Sequence, residues 1–126
     1  MKKILLSIKP RYVEKILAGR KQVEYRKQIP QEEGIRQVLI YASHPVKKVV
    51  AEFTVGGYLT DTPERLWEQT HEIGGITKEG YDDYFEGKTV GYAYRIENLQ
   101  RFEEARELRE FGMERGPQDF CYVEDR

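Results

Sequence analysis

Short runs of the chain alternate apolar and polar residues, which is the pattern of β-strands with one buried face. The first run places Ile4, Leu6 and Ile8 on the same side. Such runs, together with short apolar runs bounded by turn residues, predict six strands, at residues 4–8, 22–26, 37–42, 47–58, 89–96 and 120–123. The Gly56-Gly57 pair inside the fourth run predicts a bulge or a bend, as small barrels need at their corners.

Three short helices are predicted between these strands. Residues 11–18 carry apolar side chains at helical spacing, and Gly19 follows where a C-cap glycine belongs. Thr62 and Thr77 are N-cap signals for two further helices, and the charged residues 100–111 predict a helical turn or an extended rim. The fold class predicted from this order is α+β: a small barrel of five to six mostly antiparallel strands with short helices packed outside.

The composition narrows the class of protein. With 126 residues and 39% hydrophobic content, the chain suits one compact domain spanning residues 1–126. No run of eighteen apolar residues is present and the start is too short an apolar run for a signal peptide, so we expect a cytoplasmic protein without a membrane segment. A single cysteine, Cys121, forms neither an internal disulfide nor a thiolate zinc cage, and the two histidines are 27 residues apart. We therefore predict no metal site and no cofactor.

Basic charge is concentrated at one end of the chain. The net charge is only −1, but residues 1–27 contain nine basic and two acidic side chains, whereas residues 97–126 are acidic. Clustered Lys and Arg are what an anionic polymer binds, although basic ends can also be merely solvated. No glycine-rich phosphate loop, HExxH or GxSxG motif is present, which argues against nucleotide-triphosphatase, zincin and serine-hydrolase chemistry.

The most informative charged motif follows the first predicted helix. Lys21 lies just after the helix end, and Glu24 and Arg26 lie two residues apart on one face of the second predicted strand. If that face lines a groove, the Glu24 carboxylate and the Arg26 guanidinium satisfy each other while Lys21 remains free for a phosphate, a carboxylate or a carbonyl. The alternative is a solvated face of an edge strand, and spacing alone leaves both open.

These residues carry a resemblance to a known family. The motif G-x-K-x-x-E-x-R at residues 19–26, the preceding Lys9-Pro10 and the helix end at residues 16–19 resemble the ASCH domain, named for homology to activating signal cointegrator 1, of the PUA-like superfamily. Residues 40–50 and 120–122 are similar to the same family. The resemblance implies a PUA-like β-barrel whose cleft is lined by Lys21, Glu24 and Arg26 and binds RNA or a nucleotide.

The same resemblance implies two enzymatic alternatives. One branch of the family removes the acetyl group of N4-acetylcytidine, with the motif lysine, a threonine where this chain has Glu24, and a glutamate that aligns with Gly74 here. Such an amidohydrolase would need Lys21 to activate a water and Glu24 to act as base, so these are the candidate catalytic residues. Other members are associated with metal-dependent cleavage of single-stranded RNA, for which Glu24 is a possible ligand.

Further candidate ligand-binding residues lie at strand ends. Lys9 and Arg11 flank the first strand-to-helix junction and would form a positive rim, while Tyr41 and Ser43 end the third strand near the expected barrel mouth. Phe120 and Tyr122 lie two apart on the last strand, where they would either stack a base or join the core. We therefore predict a recognition module for RNA or a nucleotide-like ligand, most simply a single strand.

Overall fold

Six strands form one sheet in the computed structural model, which describes residues 1–126. They are β1 (Lys2–Ile8), β2 (Val23–Arg26), β3 (Gln37–Ala42), β4 (Lys48–Asp61), β5 (Gly91–Arg106) and β6 (Phe120–Glu124). The strand order is β2-β5-β4-β3-β1-β6, and only the β1–β3 pair is parallel. With its short helices, the molecule has the predicted α+β fold.

The sheet curves but does not close, which differs from the predicted barrel. The short strands β2 and β6 are its two edges, and no backbone ladder joins them. The seam between them is bridged by side chains instead. Arg26, at the end of β2, donates to the carbonyl oxygen of Ser7 in β1 and to the Asp119 carboxylate just before β6, and Gln28 also donates to Asp119. A strand edge left open at this seam becomes the side of a cleft.

Strand β1 buries both of its faces, whereas the alternating pattern predicted one. Ile4 and Leu6 join the larger core cluster on one side of the sheet, and Leu5 packs with Leu39 and Val123 in a second cluster on the other side. The reason is that β1 pairs with β3 and β6 and so lies inside the sheet, where both faces are covered.

Helix α1 (Pro10–Leu17) covers the larger cluster. Pro10 occupies the first helical turn, where its missing N–H costs nothing, and Val13 and Ile16 are the buried side chains of the helix. Gly19, with φ of 78°, then adopts the left-handed conformation that ends the helix and turns the chain into β2. The predicted helix is therefore confirmed within one residue at each end.

A segment of two helices is inserted between β4 and β5. This helical insertion, residues 62–90, contains α2 (Pro63–Thr70), a 3₁₀ turn and α3 (Lys78–Tyr84), and the side chains of Thr62 and Thr77 cap the two helices as predicted. The insertion packs on β2 and β5 through a third core cluster. The buried members of that cluster are Val23, Tyr25, Leu66, Tyr81, Phe85 and Ala93.

Strands β4 and β5 are longer than the sequence pattern predicted. Their register shifts between Val55 and Tyr58, which confirms the bulge predicted at Gly56-Gly57. β5 continues to Arg106, so most of the predicted charged rim is strand, followed by a 3₁₀ turn at Leu108–Phe111. The charged residues of the second half of β5 suit a strand whose side chains are mostly exposed to solvent. No helix in the fold has the length and apolar character needed to cross a bilayer.

Candidate functional site

A cleft of about 1100 Å³ lies along the open seam, where β2 faces the end of β1 and the residues just before β6. Its walls come from the β1–α1 junction, from β2, from α3 of the helical insertion and from the residues that precede β6. The charged, hydroxyl and half-buried aromatic side chains of the lining include Lys9, Arg11, Tyr12, Lys21, Glu24, Arg26, Lys27, Ser43, Asp83, Tyr84, Lys88 and Asp119. With the turn after β3, which contributes Ser43, five chain segments that are distant in sequence meet at one site.

The floor of the cleft contains an ion network centred on Arg26. Its guanidinium donates through Nε and Nη2 to Oε2 of Glu24 at 3.1 and 2.8 Å and through Nη1 to Oδ1 of Asp119 at 2.8 Å. Burial alone would lower the pKa of Arg26, but the Glu24 carboxylate and, after it, Asp119 together outweigh burial, so the pKa is raised. Because Glu24 is only 6% exposed, the motif face is not the solvated strand face of the alternative interpretation.

Lys21 is buried beside this network, with 3% of its surface exposed. Its ammonium donates to the carbonyl oxygen of Gly74 at 2.6 Å and lies 3.5 Å from Oε1 of Glu24. It also faces the rings of Tyr12 and Tyr25, at 5.2 and 5.0 Å from their centroids. Burial lowers the pKa of Lys21, and Glu24 offsets this only in part. Lys21 therefore gives up its proton more readily than an exposed lysine.

The rim of the cleft has a surplus of positive charge. Six cationic side chains line the cleft against three carboxylates, and two of those carboxylates, Glu24 and Asp119, are already bound to Arg26. The four cations of the rim are exposed and form no ion pair with any carboxylate. They are Lys9, Arg11, Lys27 and Lys88. The cleft thus offers an anionic ligand several charges that are not already compensated.

Three tyrosines line the cleft, and two of them, Tyr12 and Tyr84, are only half-buried, whereas Tyr25 is buried. Tyr12 belongs to α1 and Tyr84 to α3. The Arg11 guanidinium lies 4.9 Å from the centroid of Tyr12, and the Lys27 ammonium lies 4.6 Å from the centroid of Tyr84. Each ring is therefore paired with a rim cation, an arrangement that combines a stacking surface with a phosphate-binding charge.

Comparison with known proteins places the chain in a family. The family model described as the ASCH domain matches residues 6–106. The chain belongs to the ASCH domain family. The fold of this ASCH domain is similar to the crystal structure of ASCH from Zymomonas mobilis, with a TM-score of 0.87 at 24% identity, over 97% of this chain and 87% of that one.

Two curated relatives extend the comparison. The ASCH domain-containing ribonuclease of Zymomonas mobilis is 28% identical over 99 residues, which cover 79% of this chain and 67% of that protein. The large ribosomal subunit protein uL22 of Ureaplasma parvum is 29% identical over 121 residues. The match covers 95% of this chain but only 39% of the uL22 protein, so this ASCH domain spans about two-fifths of the length of that relative.

The structure brings six of the nine predicted ligand-binding residues to the cleft. Three come from the motif and three from strand ends: Lys9, Arg11, Lys21, Glu24, Arg26 and Ser43. Tyr41 lies elsewhere because its face of β3 packs into the second core cluster, where it is buried. Ser43 reaches the cleft because it lies in the turn beyond the end of β3, where strand alternation no longer fixes its direction.

The predicted stacking pair on β6 also lies outside the cleft. Phe120 packs against the larger core cluster, and Tyr122 is 36% exposed, with its hydroxyl accepting a hydrogen bond from the Glu32 backbone. The two rings contact each other edge to face, with centroids 5.8 Å apart. They share a strand face as expected, but that face is not a wall of the cleft.

Sequence reasoning missed the partners that complete the site. Asp119 is 93 residues from Arg26, and Tyr84 lies in the insertion, so neither is connected to the motif by any local spacing. One signal was present: a buried guanidinium needs more than one acceptor, and Asp119 precedes an apolar strand at a sheet edge. Tyr12, on the same helix as Val13, could have been placed at the motif from helical spacing.

The positions that matter for the enzymatic alternatives are arranged as follows. Gly74, which aligns with the glutamate of the amidohydrolase branch, contributes its carbonyl oxygen to Lys21. The glutamates near it in the sequence, Glu68 and Glu72, are exposed and do not line the cleft. No group of three or more His, Cys, Asp or Glu side chains is arranged to hold a metal ion.

Proposed function

We propose that this ASCH domain binds single-stranded RNA or a nucleotide-like ligand in the cleft, with phosphates at the rim and a base above the motif. The observation that carries the proposal is the set of four exposed, unpaired cations around a floor that contains Lys21, Glu24 and Arg26. Affinity for a polyanion comes from such local clusters, so a net charge of −1 for the whole chain does not oppose it.

Each motif residue has a distinct role in this proposal. An ammonium has three N–H donors, and Lys21 uses one on Gly74 and directs another to Glu24, which leaves a donor for a phosphate or a base carbonyl. Arg26 and Glu24 mainly satisfy each other and hold the floor in place. The hydroxyl of Ser43, at the opposite wall, is free to donate to a base edge or a phosphate.

The aromatic walls favour a single strand over a duplex. Tyr12 and Tyr84 can stack a base only when that base is unpaired and turned outwards, and stacking tolerates different sequences because every base has two flat faces. These two tyrosines take the role that the sequence had suggested for Phe120 and Tyr122. The name of the Zymomonas mobilis relative, a ribonuclease, supports RNA as the class of ligand.

The test is a binding titration with labelled RNA of about eight nucleotides, a length typical of one small binding groove. We expect binding to single-stranded RNA that weakens as salt rises from about 50 to about 200 mM, and weaker binding to the matched duplex. The double variant Lys9→Ala/Arg11→Ala should reduce the slope of log affinity against log salt by about 1.4, since each phosphate contact with a single strand contributes about 0.7.

A matched double variant controls for overall charge. Arg101→Ala/Arg109→Ala also removes two exposed positive charges, but both lie outside the cleft. This control should keep the wild-type slope and an affinity within about twofold of wild type. Equal losses in the two double variants would show that only total charge matters and would contradict a binding site at the cleft.

The second candidate function is RNA cleavage, favoured by the ribonuclease relative. It is tested by intact-mass analysis of single-stranded RNAs after incubation with the protein, with and without a divalent cation, one RNA carrying N4-acetylcytidine. Shortened products would establish a ribonuclease, and loss of the acetyl mass would establish an amidohydrolase. Unchanged masses alongside measurable affinity are the result that a recognition module predicts. If either reaction occurs, Lys21→Ala should abolish it.

A further inference from the structure

Three successive carbonyl groups of the helical insertion are held by the chain around the motif. The carbonyl oxygen of Ile73 accepts from the Gln22 backbone N–H at 2.8 Å, that of Gly74 from Lys21 at 2.6 Å, and that of Gly75 from the Lys15 ammonium at 3.1 Å. Lys15 and Lys21, on either side of the α1–β2 turn, thus both donate hydrogen bonds to the same short loop, residues 73–75, which we call the gripped loop.

The loop is shaped to fit this grip. A Cβ atom at Gly75 would lie 2.7 Å from Cβ of Lys21, which is closer than real side chains approach, and Gly75 has a φ of 62°. A Cβ atom at Gly74 would collide with the Tyr25 hydroxyl. Gly75 is therefore required for the close approach of the loop to Lys21, and Gly74 for its close approach to Tyr25.

The gripped loop leads directly into one wall of the cleft. Ile76, Asp83, Tyr84 and Lys88 line the cleft, and all four belong to the insertion beyond the loop. Besides the third core cluster, the insertion is attached to β2 by the hydrogen bond between the Tyr25 and Thr70 hydroxyls, 2.7 Å apart. The loop held by the lysines is thus one of three attachments that set the position of the wall relative to the motif, and it is the one that lies next to the motif lysine.

We propose that Lys15 and Gly75 are positioning residues for ligand binding: by fixing the loop at residues 73–75, they hold the wall that carries Tyr84 and Lys88 at the right distance from the motif. Lys15 does not line the cleft, so it acts through the wall and not by contact with the ligand. The inference rests on the proposed function for its affinity readout. A preorganised wall raises affinity because binding no longer has to order it.

The first test compares two variants that remove the same charge from the same end of α1. Lys15→Met removes the bond to Gly75, whereas Arg20→Met removes an exposed cation that bonds to nothing in the insertion. For labelled single-stranded RNA we expect Lys15→Met to lose about tenfold in affinity and Arg20→Met less than about twofold. The slope of log affinity against log salt should be that of the wild type in both. A slope smaller by about 0.7 in Lys15→Met would make Lys15 a phosphate contact and overturn the proposal.

The second test disturbs the hydrogen bond between Lys15 and Gly75 by changing Gly75. Gly75→Ala should reproduce the Lys15→Met loss of affinity, since the new methyl group pushes the loop away from Lys21. Gly34→Ala is the matched control: Gly34 also has a positive φ, of 84°, but a Cβ atom there meets nothing within 4 Å. Equal affinities of these two variants for RNA would overturn the proposal.

A readout that needs no ligand separates this inference from the proposed function. The backbone N–H of Gln22 donates to the carbonyl oxygen of Ile73 in the gripped loop. The rate at which this backbone hydrogen exchanges with solvent therefore reports on whether the loop is held in place. Lys15→Met and Gly75→Ala should speed Gln22 exchange by about tenfold or more, while Arg20→Met and Gly34→Ala should not. If the wild type binds no RNA, the proposed function fails, and unchanged Gln22 exchange in all four variants would overturn the positioning role independently.

Discussion

Two charged networks join strand ends in this ASCH domain, and they differ in what surrounds them. The first, the clamp network, consists of Lys3, Glu52, Arg106 and Asp125. Asp125 accepts from Lys3 at 2.8 Å and from both terminal nitrogens of Arg106 at 3.1 and 2.9 Å, and Lys3 also reaches Glu52 at 3.1 Å. Arg106 also pairs with Glu110 at 3.2 Å, so the two cations of the clamp network face three carboxylates and leave no positive charge uncompensated.

The cleft network of Lys21, Glu24, Arg26 and Asp119 is also paired internally, yet it lies under a rim of unpaired cations. The clamp network holds β1, β4, β5 and the end of β6 together, whereas the cleft network bridges the one seam that the sheet leaves open. The comparison shows that ion pairing alone does not identify a functional site. What distinguishes the cleft is uncompensated charge and space beside the pairs.

The largest effect is expected from a substitution that breaks the clamp network. Asp125→Ala leaves Lys3 and Arg106 without their shared carboxylate, and removing one partner of a mostly buried ion cluster destabilises a protein by about 3 kcal/mol. Chemical denaturation should show this loss, while the affinity for single-stranded RNA at low temperature stays within about twofold of wild type. A large loss of affinity in a folded Asp125→Ala protein would contradict the separation of the two networks.

The stability of the protein at low pH tests the role of the clamp network in a second way. Hydrogen bonds from Arg106, and then from Lys3, lower the pKa of Asp125 to about 2. A carboxylate whose folded pKa lies below its unfolded value stabilises the fold above the unfolded pKa, and this contribution disappears as the pH falls to the folded value. We expect a loss of about 2 kcal/mol between about pH 5 and pH 2. Denaturation at several pH values should show a smaller loss over that interval in Asp125→Asn than in the wild type.

The smallest expected effect tests the aromatic wall of the cleft. Tyr84→Leu removes a stacking surface and should weaken binding of single-stranded RNA by about tenfold, whereas Tyr84→Phe keeps the ring and should stay within about twofold. The comparison ligand is an RNA of equal length with abasic sites, for which both variants should match the wild type. Equal losses for the normal and abasic RNAs would show that Tyr84 does not contact a base.

Local pattern predicted the elements of this fold well, because caps and alternation are properties of neighbouring residues. The helix end at Gly19, the caps at Thr62 and Thr77 and the bulge at Gly56-Gly57 follow from short-range physics. The open seam did not, because closure of a sheet depends on how edge strands meet, and here Arg26 meets Asp119 from 93 residues away.

The candidate site divides in the same way. The motif residues Lys21, Glu24 and Arg26 were found from their spacing because they lie on one short strand and the turn before it. Tyr84 was not, because only the folded insertion brings it to the cleft. Tyr41 was expected near the ligand, but a strand residue directed to the opposite face of the sheet joins the core instead.

The central claim is that the cleft, and not the rest of the basic surface, is where a ligand binds. The most direct measurement is a set of ¹H–¹⁵N spectra of the protein titrated with short single-stranded RNA, with each backbone amide as a reporter. We predict shifts confined to amides around Arg11, Lys21, Arg26 and Tyr84, with amides around Lys3 and Arg106 unchanged. Shifts centred on the clamp network or on Phe120–Glu124, with the cleft silent, would contradict the account.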